Sequence, residues 1–125
     1  MFGHGNALVL GATAVLQDVF TAPEMARQIG EEGASFTMGA TPFLNDLTEH
    51  VAASGAGTPS LKVFVYGASP ISEDVLARSV KTFGCRFWQA YGLTETTGAV
   101  INLPPADHNP DGPNKHRLRS CGIPG

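Results

Sequence analysis

Short apolar runs ending in small residues alternate along this chain with capped segments of helical period, and that alternation limits the folds open to it. Strand-like and helix-like stretches in turn are the signature of β-α-β units, in which each helix carries the chain back to start the next parallel strand. The clearest strand is Leu61 to Tyr66, rich in β-branched and aromatic residues, and its composition predicts a fully buried strand. Ser72 then caps a helix with Glu73 and Asp74 in its first turn and Leu76, Val80 and Phe83 along its inner face, and Gly84 ends it. Arg86 to Ala90 forms the following strand, and Gly98 to Leu103 a further one.

The same grammar holds upstream. Ala7 to Leu10 and Ala14 to Gln17 read as strand material around Gly11. Thr21, Pro23 and Glu24 make a capping box for a helix whose inner face is Met25, Ala26 and Ile29, with Gly30 and Gly33 ending it. Ala34 to Met38 is a short strand with Gly39-Ala40 as its exit. Thr41-Pro42 cap the next helix, which carries Leu44, Leu47 and Val51. Small residues fill the loop from Ser54 to Pro59, and residues 104–120 form an irregular loop rich in proline and glycine. The expected fold class is α/β, with a mostly parallel sheet.

At 125 residues the chain holds at most one domain, and no complete second domain is expected. Its hydrophobic fraction of 42% and charged fraction of 15% suit a packed core. A net charge of −3 offers no footprint for nucleic acid. No apolar run approaches the ~20 residues that span a bilayer, and the start shows no basic region or cleavage pattern. A cytoplasmic protein is therefore expected. Cys85 and Cys121 are expected to be free thiols, and the scattered histidines 4, 50, 108 and 116 do not have metal-site spacing. His4 matches no assignable function.

In open α/β sheets ligands bind beyond the carboxyl ends of the strands. Three expected exits are Met38 into Gly39-Ala40-Thr41, Tyr66 into Gly67-Ala68-Ser69, and Gln89 into Ala90-Tyr91-Gly92. The last opens the heptad Tyr91-Gly92-Leu93-Thr94-Glu95-Thr96-Thr97, which joins an aromatic face, a glycine, several hydroxyls and a carboxylate. A nucleotide with a metal-bound phosphate needs that set. A polar turn in which Thr94 caps a short helix explains the same residues equally well.

Tyr91 to Thr97 resembles the Tyr-Gly-x-Thr-Glu signature of the adenylate-forming superfamily: acyl-CoA synthetases, luciferase-like enzymes and peptide-synthetase adenylation domains. Gly67-Ala68-Ser69-Pro70-Ile71-Ser72 is similar to its Gly-Gly-Ala-Pro-Leu-Ser segment, and Ser120 to Gly125 to its Ser-Val-Gly-x-Pro-x-Gly segment. Gly11 to Leu16 and Ala40 to Leu44 also fit, in the same order. The resemblance implies a partial AMP-binding domain over residues 1–125, from the large N-terminal domain of such an enzyme. It implies that Gly67, Ala68 and Ser69 line the adenine side, that Tyr91 stacks on the purine, and that Gly92 and Leu93 bring the backbone close. By the same resemblance Thr94 donates to the α-phosphate, Glu95 binds Mg²⁺, and Gln89 and Ala90 border the junction of nucleotide and acyl group. Phe36, Met38, Thr41, Pro42 and Phe43 fall where similar enzymes build the acyl-pocket wall, which implies a hydrophobic acid.

The implied reaction is AMP-forming: a carboxylic acid and ATP with Mg²⁺ give an acyl-adenylate, and CoA takes the acyl group. The implied partners are those three small molecules. The sequence departs from the family at Ala68-Ser69, where Gly-Ala is usual. It also lacks the family's phosphate loop, ribose-binding aspartate, hinge and catalytic lysine, so an isolated chain is expected to be inactive. A freestanding flavodoxin-like nucleotide-binding module, or a fragment of a peptide-synthetase or luciferase-like enzyme, would account for many of the same residues.

Overall fold

The computed structural model describes residues 7–125, so His4 lies outside the described residues. Helix α1 (Ala22–Glu31) leads into β1 (Phe36–Ala40), α2 (Thr41–Ser54), β2 (Val63–Gly67), α3 (Glu73–Phe83) and β3 (Arg86–Leu93). A tight turn at Thr94–Thr96 then gives β4 (Gly98–Leu103), and two 3₁₀ turns at Pro105–Asp107 and Lys115–Arg119 precede β5 (Ile123–Pro124). The sheet order is β1-β2-β3-β4-β5. The first two pairings are parallel and the last two antiparallel, so β4 alone opposes the direction of the other strands. The mostly parallel α/β sheet expected from the sequence is present.

Strand order decides where the helices go. Right-handed crossovers between strands that follow one another across a sheet return on one side of it. Here Met25 and Ile29 of α1, Phe43, Leu44, Leu47 and Val51 of α2, and Leu76 and Phe83 of α3 share one core with Phe64, Tyr66 and Phe87 of the sheet. Phe64 and Phe87 stack with ring centroids 5.7 Å apart and planes 4° from parallel. The buried hydroxyls of Thr48 and Ser79, 2.8 Å apart, tie α2 to α3. Among the described residues nothing covers the other face of the sheet, and Phe36 (53% exposed), Met38 and Trp88 stand on it.

That open face corrects the expectation of a fully buried second strand. In β2 only Phe64 and Tyr66 are buried, while Val63 and Val65 point to the uncovered side. The strand also runs from Val63 to Gly67 rather than from Leu61 to Tyr66, and β1 from Phe36 to Ala40 rather than from Ala34 to Met38. Pairing sets these limits: Phe36 faces Val63 and Ala40 faces Gly67. Gly39 and Ala40 are thus strand residues.

Other differences have local causes. Residues 7–10 are helical and 12–17 lack regular structure, because neither stretch finds a ladder partner among the described residues. Thr21 does cap α1, accepting from the Glu24 amide at 3.4 Å. The capping box is incomplete, since the Glu24 carboxylate accepts from Arg27 Nη2 at 2.6 Å and from Gln28. Gly30 lies within α1. Ala40 takes the N-cap position of α2, and Thr41 is the helix's first residue. The remaining helix assignments hold: Ser72 caps α3 by accepting from the Val75 amide, and Gly84 closes it.

The segment 104–120 is irregular but anchored. Asp107 accepts from Arg117 Nη1 at 3.0 and 3.1 Å and from Asn114 Nδ2 at 3.1 Å. Leu118 enters the core, and His108 packs edge-on against Tyr66.

Candidate nucleotide site

Parallel pairing aligns the three strand ends. Ala40, Gly67 and Ala90 are register partners across β1, β2 and β3, one step past Gly39, Tyr66 and Gln89. The chain then leaves β1 into α2 and leaves β2 through Ala68-Ser69-Pro70. Thr41 fastens these two exits together: its hydroxyl donates to the Ser69 carbonyl at 2.9 Å, with the Gly67 carbonyl at 3.4 Å. Thr41 is buried and serves as a brace rather than as an exposed wall.

The third exit differs from expectation. β3 continues through Ala90, Tyr91, Gly92 and Leu93, because antiparallel β4 extends its ladder with a register shift between Tyr91 and Gly92. The heptad is therefore the tip of a hairpin, with Thr94 to Thr97 as its connection. Thr96 does the capping expected of Thr94: its hydroxyl accepts from the Leu93 amide at 2.9 Å and lies 2.8 Å from the Gly98 carbonyl. Thr97 closes the turn in the left-handed region, at φ 57°.

With Thr96 holding the turn, Thr94 and Glu95 are left exposed, and among the described residues neither side chain has a hydrogen-bond partner. Tyr91 is 42% exposed, and Ala68 and Ser69 are exposed on the neighbouring exit. An accessible aromatic face, a hydroxyl and an uncommitted carboxylate thus share one end of the sheet with two small residues. Among the described residues no cluster of three or more His, Cys, Asp or Glu forms a protein-only metal cage. A single carboxylate suits Mg²⁺, which commonly completes its octahedron with phosphate oxygens and water.

Two glycines expected to admit a ligand have a nearer reason. A Cβ on Gly67 would lie 2.1 Å from the Ala90 carbonyl oxygen, and one on Gly92 would lie 2.0 Å from that of Gly98. Both positions need glycine for strand-to-strand approach. Gln89 also departs from expectation. It is buried on the helix side, 8% exposed, next to the Tyr66 hydroxyl, whereas Ala90 faces the other way. The expected acyl wall divides likewise: Phe36 and Met38 stand on the open face, while Phe43 is packed under the helices.

Tyr66 was read from sequence only as a strand end and His108 only as a scattered histidine, and Asp107 was not singled out. His108 Nε2 lies 3.0 Å from the Tyr66 hydroxyl, and Nδ1 lies 2.9 Å from the Pro104 carbonyl. Burial holds the His108 pKa below the usual histidine value, although the Pro104 carbonyl and the Asp107 charge pull it up. Burial likewise raises the Tyr66 hydroxyl, and it pushes the Cys85 thiol up to about 11. The sequence signal for this group was the Asp107-His108 pair within an otherwise aperiodic stretch, which periodicity does not weigh.

The family profile described as "AMP-binding enzyme" matches residues 1–125. The fatty acid–[acyl-carrier-protein] ligase ScoC of Streptomyces coeruleorubidus is 34% identical over 102 residues, covering 82% of this chain and 20% of ScoC. The medium/long-chain-fatty-acid–CoA ligase FadD8 of Mycobacterium tuberculosis is 31% identical over 117 residues, covering 94% of this chain and 20% of FadD8. The solved structure of the amide bond synthetase McbA from Marinactinospora thermotolerans superposes with a TM-score of 0.81 at 29% identity, covering 94% of this chain and 23% of that one. The chain thus spans about a fifth of the length of these curated relatives.

Proposed function

The chain belongs to the AMP-binding enzyme family, and from that premise we propose that it is a central part of the large N-terminal domain of an AMP-forming acyl-CoA synthetase acting on a hydrophobic carboxylic acid. The observation that carries the reading is the alignment of three strand ends at Ala40, Gly67 and Ala90, beside a hairpin tip that leaves Tyr91, Thr94 and Glu95 accessible. In this reading Tyr91 stacks on the purine, and Ala68 and Ser69 bound its other side with Gly67. Ala90, Gly92 and Leu93 form the strand edge along which the nucleotide lies.

Two steps follow. The substrate carboxylate attacks the α-phosphorus of ATP, pyrophosphate leaves, and an acyl-adenylate forms. A thiolate then attacks the acyl carbon and AMP leaves, giving the thioester. Thr94 would donate a hydrogen bond to the α-phosphate, and Glu95 would hold the metal ion. Mg²⁺ bound there would offset charge on the phosphate oxygens. Positioning and charge stabilisation are the protein's main means in such a step.

CoA is the thiol acceptor in this reading, as in the CoA ligase FadD8. A carrier-protein thiol is the second reading, favoured by the similarity to ScoC. Among the described residues no helix is long and apolar enough to cross a membrane, and we place the protein in the cytoplasm. A freestanding flavodoxin-like module fits less well, because the strands follow in sequence with no switch point.

Glu95→Gln in the full-length polypeptide tests the site. Carboxylate-dependent pyrophosphate release should fall at least about tenfold with an altered Mg²⁺ dependence, while thermal unfolding stays put, because the side chain is exposed. Unchanged adenylation with the same Mg²⁺ dependence would remove the metal role. The isolated chain should turn over no ATP; carboxylate-dependent turnover by a pure preparation contradicts the fragment reading.

A further inference from the structure

The polar group beneath the hairpin is not explained by ligand contact. His108 is 4% exposed and is held at both ring nitrogens. The Pro104 carbonyl can only accept, so Nδ1 carries a proton, and in the neutral ring Nε2 accepts from Tyr66. The Tyr66 oxygen also lies 3.3 Å from Gln89 Oε1. One hydroxyl proton cannot serve both acceptors. Oε1 can only accept, so once the Tyr66 proton goes to a neutral His108, Gln89 bonds the Tyr66 oxygen only with its amide rotated to present the NH₂ group. The bonds then run one way, from Gln89 to Tyr66 to His108 to Pro104.

Both ends of that chain sit at the base of one hairpin. Gln89 of β3 is the register partner of Leu103 of β4, and Pro104 follows Leu103 directly. Gln89 is also the last buried side chain of β3: Ala90 is half-buried, and Tyr91, Gly92 and Leu93 are exposed. Among the described residues, no helix buries β3 beyond Gln89.

We propose that His108 is a positioning residue that, through Tyr66, clamps Gln89 and Pro104 at the base of the β3–β4 hairpin and so fixes the Tyr91 to Glu95 tip for nucleotide. The link to nucleotide rests on the function proposed above; the clamp itself does not. Asp107, held by Arg117 and Asn114, anchors the turn that delivers the ring.

The test uses Tyr66→Phe, His108→Leu and the double variant in the full-length polypeptide. It reads amide hydrogen exchange and the Kd for ATP. Exchange at Ala90 to Leu93 should quicken while β1 and β2 stay unchanged. The ATP Kd should rise about fivefold, the size of one lost hydrogen bond. The double variant should be no worse than the worse single one, since the two residues act in series. KM for the carboxylate should not move. Tyr66→Phe keeps the ring packing, so it decides the matter even if His108→Leu does not fold. A folded Tyr66→Phe variant with wild-type exchange at the hairpin overturns the clamp, as does faster exchange spread evenly over the sheet. If wild type binds no ATP but the exchange effect stays confined to the hairpin, the clamp stands and the nucleotide reading falls.

Discussion

Ala68 holds a φ of 69°, in the left-handed region where a Cβ costs about 1–2 kcal/mol. The similar family segment has glycine at that place, and the backbone shows why: the turn out of β2 requires that conformation. Ala68→Gly should therefore stabilise the chain by up to about 1 kcal/mol, the relief of strain being partly offset by greater unfolded-state freedom. Urea unfolding measures it, and a destabilised glycine variant contradicts the strain argument. His108 supports a second prediction. Its folded pKa is lowered, so its contribution to stability is complete above the unfolded value of 6.5 and is lost as pH falls through the folded value. The groups around it are Asp107 and Tyr66, and Cys121 near the tyrosine. Melting temperature should drop from pH 7 towards pH 5, and His108→Leu should flatten that slope; an equal slope in both proteins would assign it elsewhere. Exposed candidates such as Tyr91 and Glu95 were legible because their types are uncommon together. Buried polar partners such as Tyr66, Gln89 and His108 were not, because the contacts span 23 and 42 residues between chain positions that sequence pattern does not connect.

The hairpin is the element on which the candidate site depends. Its turn was foreseen as polar, but β3 was not foreseen to run past Ala90 to Leu93, since Gly92 interrupts strand propensity there. Antiparallel β4 supplies the missing hydrogen bonds and overrides that propensity. Gly92→Ala tests the close approach: a Cβ 2.0 Å from the Gly98 carbonyl must push the strands apart. The cost should be about 1–3 kcal/mol, in the range of overpacked interiors, with NMR shift changes centred on Tyr91 to Ala99. A variant as stable as wild type would refute the tight register. The helices were legible for the opposite reason. Ser72 and Gly84 bound α3 through local chemistry that needs no tertiary partner.

Across the whole molecule, one face of the sheet is packed and the other is open. Phe36, Met38, Val65 and Trp88 form an apolar surface, and Leu8, Val9 and Leu10 are four-fifths or more exposed as well. Contiguous apolar surface of this kind drives association. The isolated chain should self-associate at micromolar concentrations and bind a hydrophobic dye, with Trp88 emission shifting to the blue as it does so. Sedimentation as a monomer with no dye binding would contradict that. The α/β class, helices α1 to α3 and the family could be read from residue order alone, because capping, periodicity and ordered motifs are written within short windows. Folding in three dimensions was needed to place α1, α2 and α3 on one face, to run β3 on into a hairpin, and to turn Gln89 inward to Tyr66 while Ala90 faces out. Those outcomes depend on strand order and on pairing between distant segments, and neither is encoded in any single stretch of chain.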